Sequence, residues 1–255
     1  MHRQTMGRSR PTRCGSVLHR CALPRARWAL AAIALLITGC VTVDLPSIAH
    51  VHVGHAITGW NDTPGGRGLC DVAQNEAAVA SEHAAFAVEG ARDPQAVRLH
   101  LGHVLHAVDP TREPVGPGTG YGLLKALDGC IDHLGFAADV RDASPNLKAG
   151  VPTLVATLQP LGREVRTIAA LAADARRSPD AALALAYAQD VRQRCDRLLV
   201  TLVQARQRLD ALLAAEQPPY RPVARHYLFG IIRLPSGDWA WASAGQRADG
   251  YAPHH

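Results

Sequence analysis

No acidic side chain occurs before Asp44, although seven arginines stand in the first 27 residues. This asymmetry undercuts the simplest reading of the net charge of +5, a basic surface for nucleic acid or an anionic membrane. With those seven set aside, 20 basic side chains face 22 acidic ones, so the remainder is near neutral and offers no nucleic-acid patch. Also missing is any apolar run of the roughly 20 residues that a membrane-spanning helix needs. No G-x-S-x-G, H-E-x-x-H or C-x-x-C-H is present, so nucleophile-elbow hydrolases, zincins and covalent c-type haem lack their signatures. The glycines and prolines at 110–122 follow no strand and end in no lysine-serine pair, which makes them turn material and not a phosphate cradle.

What is there begins with an export pattern. The arginine-rich start is followed by the apolar run Trp28 to Ile37 and then by Thr38-Gly39-Cys40. Ile37-Thr38-Gly39-Cys40 resembles the lipobox of bacterial lipoproteins, whose cysteine is acylated and becomes the new N-terminus. The resemblance implies removal of residues 1–39, lipid attachment at Cys40 and, with Val41 next, an outer-membrane anchor facing the periplasm. Of six cysteines, Cys70, Cys130 and Cys195 then remain in an oxidising compartment. One pair can form a disulfide, and the sequence does not choose it.

Residues 40–70 read as an irregular arm, the alternating His50-Val51-His52-Val53 fitting a short strand. Residues 71–216 read as an all-α bundle of about five helices. The first runs from an Asp71 cap to Gly90, with Val72, Glu76, Val79, His83 and Phe86 on one face. The second runs from Asp93-Pro94 to Val108 and carries no charged side chain after Arg98. The third covers about 121–140, with Leu123, Leu127, Cys130, Leu134 and Ala137 inward. The fourth covers about 151–177, and Pro160 is expected to kink it. The fifth, from Ser178-Pro179 to about Glu216, repeats apolar residues in a 4-3 rhythm from Ala184 to Leu212. Residues 217–255 form a tail in which a C-terminal β-hairpin is expected. No repeat period is evident.

Chemistry is suggested by clustering. Seven of thirteen histidines lie between His50 and His106. Neutral imidazole is a ready ligand for transition metals, and bundles build metal sites from side chains on facing helices. His100, His103 and His106 fan across one helix at steps of three, so at most two neighbours converge on one ion. Partners must come from elsewhere: His83 and Glu76 on the first helix, Cys130 and His133 on the third, and His50, His52 and His55 on the arm. On a strand, His50 and His52 would point the same way.

The stretch from His50 to Trp60, together with Gly102 to Pro110, resembles a pattern in uncharacterised histidine-rich envelope proteins of bacteria. The similarity spans about residues 50–140 and implies no particular activity. The leading expectation is a lipid-anchored protein binding zinc or copper through these histidines. A b-type haem carrier with His103 and His133 as axial ligands is the alternative. The third reading is a structural lipoprotein whose long last helix docks an envelope partner through Leu198, Leu202 and Leu209.

Overall fold

The computed structural model describes residues 47–220 in full, together with the backbone of Thr42–Val43, Ile231–Arg233 and Trp239–Ala242. Among the described residues six α-helices follow in order: α1 (Ile48–Ile57), α2 (Leu69–Glu89), α3 (Pro94–Val108), α4 (Leu123–Asp139), α5 (Pro145–Arg177) and α6 (Ala181–Ala214). The expected export signal and Cys40 lie outside the described residues. Of the expected C-terminal hairpin, Ile231–Arg233 and Trp239–Ala242 are described as paired antiparallel strands, Ile232 opposite Ala240. The turn that would join them lies outside the described residues.

The helix boundaries follow local chemistry. Asp93 accepts the Gln95 N–H at 2.8 Å, and Pro94 opens α3 with the φ that a first helical position wants. Ser144 accepts the Leu147 N–H at 3.0 Å, so α5 begins at Pro145, six residues earlier than expected, and runs unbroken past Pro152 and Pro160. Asp180 accepts N–H groups of Ala182 and Leu183 and starts α6, whose 34 residues extend about 51 Å. Gly68, and not Asp71, precedes α2. A Cβ on Gly68 would lie 2.4 Å from the Ile57 carbonyl carbon, so this glycine lets the end of α1 lie against the start of α2.

The arm departs most from expectation. His50 to Val53 is helical, not extended, so five expected helices become six. Alternating valines favour a strand locally, but Ala49, Val53 and Ala56 recur at steps of four and three and are wholly buried. The helix start is fixed from outside: Ser47 caps His50 at 3.1 Å, and the Asp142 carboxylate accepts the N–H groups of Ile48 (2.6 Å) and Ala49 (3.2 Å).

In the core, α5 and α6 pack as an antiparallel pair, α2 lies on α6, α4 lies on α5, and α2 meets α4. The 4-3 rhythm of α6 is buried from Ala184 through Leu209, which leaves Leu198, Leu202 and Leu209 inside this bundle rather than on a docking face. The inner face of α2 is an alanine seam, Ala73, Ala77, Ala80, Ala84 and Ala87, with Val72 and Glu76. Small side chains let helices approach closely, and that rotates His83 and Phe86 from the expected core stripe to its rim. Among the described residues no helix is long and apolar enough to cross a membrane.

Candidate metal centres

Among the described residues, two groups of three histidines are assembled, each from two helices. In one, His83 from α2 meets His100 and His103 from α3; in the other, His133 from α4 meets His52 and His55 from α1. Within each group, one nitrogen from each ring lies within 4.8 Å of the others. His83 Nδ1 approaches His100 Nδ1 to 3.1 Å and His103 Nδ1 to 3.3 Å; His52 Nδ1 approaches His133 Nδ1 to 3.1 Å. All six rings are half-buried.

The two constellations match ring by ring. Centroids are 5.3 Å apart for His83 and His100, and 5.3 Å for His133 and His52. They are 4.7 Å apart for His83 and His103, and 4.8 Å for His133 and His55. A phenylalanine one turn beyond the lone histidine flanks each group: Phe86 lies 5.4 Å from His100, and Phe136 lies 5.3 Å from His52. A glycine between the paired histidines faces a polar end group in both. A Cβ on Gly102 would be 3.3 Å from the Arg176 guanidinium, and one on Gly54 would be 3.5 Å from the Tyr220 hydroxyl.

The surroundings keep imidazole in its ligand form. Burial, reinforced by neighbouring His52, pushes the His133 pKa down to about 4. Burial first, and then the charges of the other two rings, lowers His83 below the ordinary histidine value. His103 is lowered by burial and by His100, His106 and Arg176. At neutral pH such rings are uncharged and present a lone pair. The groups differ in one respect, since Trp60 covers only the second, 4.6 Å from His55 and 4.8 Å from His133. Its loop is held by the Thr63 hydroxyl, which bonds the carbonyls of Trp60 (2.8 Å) and Arg67 (2.5 Å).

Four expected ligands are placed elsewhere. Glu76 is fully buried seven residues before His83, about 10 Å along α2. Its Oε1 accepts the Thr119 N–H at 2.8 Å and the Thr119 hydroxyl, so it anchors the 110–122 loop. His106 is buried and donates from Nδ1 to the Glu113 carbonyl at 2.7 Å. His50 faces away from His52, because a helix turns neighbours two apart to different sides, and meets buried Glu216 at 3.2 Å. Cys130 is bonded to Cys70, while Cys195 is buried and free, its thiol pushed up to about 12 by burial.

The haem pair is not brought together. Cys70 and Cys130 join α2 to α4, His133 lies one turn from Cys130, and His83 lies thirteen residues from Cys70, about 20 Å along the helix. His103 packs with His83 and so belongs to the group remote from His133. All six histidines that do converge were candidates in the sequence; what was missed is which of them meet. The signal existed, since H-x-G-H occurs at 52–55 and at 100–103, and H-x-x-F at 83–86 and at 133–136.

Comparison of the chain with protein-family models, with curated proteins and with solved structures finds no match.

Proposed function

We propose that this protein binds transition-metal ions at its three-histidine centres, zinc or copper ahead of others, as a lipid-anchored component of the bacterial envelope. The observation that carries this reading is the convergence of Nδ1 atoms at 3.1 and 3.3 Å. A tetrahedral ion with bonds of about 2.0–2.1 Å to imidazole sets its ligand nitrogens about 3.3 Å apart. Hydrogen bonding alone gives no reason for the convergence, because a ring nitrogen holds either one proton or one lone pair, yet His83 Nδ1 faces two other Nδ1 atoms.

Imidazole donors without thiolate or carboxylate suit zinc and copper, with nickel and iron weaker fits. Three protein ligands leave the fourth position open to solvent or a small ligand, whereas zinc sites that serve only to hold a fold take four. The rings lie at the bundle rim and are half-buried. This suits an ion that is loaded and released, as in storage, sensing or delivery. The lipobox-like Cys40 supplies the envelope location of the proposal.

The test is elemental analysis and an absorption spectrum of the purified full chain, before and after reconstitution with zinc or copper and exhaustive dialysis. Retention of one of these ions at stoichiometric level, with no Soret band, is expected. A chain that retains neither ion refutes the reading, and a Soret band would replace it with a haem not held by His103 and His133 together.

A further inference from the structure

We infer that residues 46–90 and 94–140 are two copies of one helix pair, and that each metal centre is crossed between them: two histidines from the first helix of one copy, the third from the second helix of the other. The duplication stands on its own evidence; its two-ion consequence rests on the metal reading above.

In the sequence, a shift of 48 residues superimposes Pro46, His52, Gly54 and His55 on Pro94, His100, Gly102 and His103 without a gap. The same shift carries the buried apolar residues Ala49, Val53 and Ala56 onto Val97, Leu101 and Val104, which are also buried. Along the second helices, a shift of 50 carries His83 and Phe86 onto His133 and Phe136. Every buried position of α4, from Leu123 to Ala137, falls fifty residues after a buried position of α2. Helices can share a period by chance. Sharing period, phase, ligands and the flanking aromatic through two successive helices points to one ancestral unit. The period escapes inspection of the sequence because few positions are literally repeated, namely three histidines, one glycine, one proline and one phenylalanine in each copy and the alanine at 87 and 137, while most other core positions differ, as Ala73 and Leu123 or Ala77 and Leu127 do.

Packing shows the crossing. Helix α1 lies on α4 and α3 lies on α2, so each first helix docks on the second helix of the opposite copy, while α2 and α4 meet each other. This is the pattern of an isologous two-fold interface, in which residue i of one partner touches j of the other and j touches i. His52 with His133, and His100 with His83, are such a reciprocal pair, and both show the same 3.1 Å Nδ1 separation. One chain therefore carries in fused form what two identical helix pairs would build by dimerising. It takes two ions of one kind, and each ion bridges the copies.

Zinc titration of the metal-free full chain, read by a competing chromophoric chelator and by native mass spectrometry, tests this. Two zinc ions per chain are expected, with dissociation constants within about tenfold of each other, since the ligand sets are the same. His133→Gln or His83→Gln alone should leave one ion. The decisive variants start from His52→Gln with His55→Gln. Adding His133→Gln should still leave one ion, because all three changes fall in one centre, whereas adding His83→Gln should leave none. Helical circular dichroism at the wild-type level confirms each variant as folded, and any that is not is replaced by the matching His→Asn change. One zinc in the wild type, or one retained by the His52, His55, His83 triple variant, overturns the crossed pair. No zinc in the wild type overturns the metal reading and the two-ion consequence with it.

Discussion

Cys70 and Cys130 close a 60-residue separation and tie α2, which carries His83, to α4, which carries His133. Replacing both by alanine frees the unfolded chain more than it disturbs the folded one, since the bundle keeps its alanine and leucine seams. The chain-entropy relation for a loop of about 60 residues gives a loss of about 4 kcal/mol at 25 °C. Spread over the roughly 170 fully described residues, whose unfolding entropy is about 2.1 cal/mol/K each, that lowers the melting temperature by about 11 °C. Melting and urea unfolding of the double alanine variant, with a chelator present to remove metal linkage, are the assay. Because the effect lies in the unfolded state, the urea slope should also steepen as that state expands. Wild-type protein treated with reductant should shift by a similar amount. A drop under about 3 °C in both samples would refute the reasoning, and a full drop at unchanged slope would move its cause from the unfolded chain to the native contacts.

Two further perturbations address buried polar groups outside the two histidine groups. Glu76→Ala strips the part-buried Thr119 N–H of its acceptor and leaves a void beside Gly118 where the buried carboxylate stood, for a cost of about 3 kcal/mol. Glu76→Gln, which keeps an acceptor, should lose less than half of that in urea unfolding; an equal loss in the two would show that the hydrogen bonds to Thr119 are not what Glu76 contributes. At Glu216, burial raises the carboxyl pKa, but hydrogen bonds from Ser144, Asn146 and His50, with the charge of His50, outweigh it and hold the value below its ordinary 4.5. The unfolded chain then takes up the proton first, so the contribution of Glu216 is present above pH 4.5 and is lost as pH falls through the lowered folded value. Wild-type melting temperature should fall more steeply than that of Glu216→Gln in that acid range; parallel curves would count against it.

Much of this molecule was legible one segment at a time. The inward faces of α4 and α6, the Asp93-Pro94 start of α3 and the burial of Cys195 follow from periodicity and capping, which act over a few residues. Local reasoning failed at α1. Four residues of alternating histidine and valine read as a strand, and only the burial of Ala49, Val53 and Ala56, with capping by distant Asp142, makes the segment helical. It also misjudged Glu76, because a carboxylate on an inner face looks the same in sequence whether it binds an ion or holds a loop.

The amino-acid order by itself determined the inventory beyond the arm: which segments after residue 70 become helices, and which histidines stand close enough along a helix to act as pairs. Only the tertiary structure decided that Cys70 meets Cys130, that His50 leaves its neighbours for Glu216, and that His83 joins His100 and His103 while His133 joins His52 and His55. The reason is the range of the forces. Helix periodicity and capping are set within a turn or two, whereas convergence on a point depends on how whole helices, joined through loops of any length, bury their seams against one another.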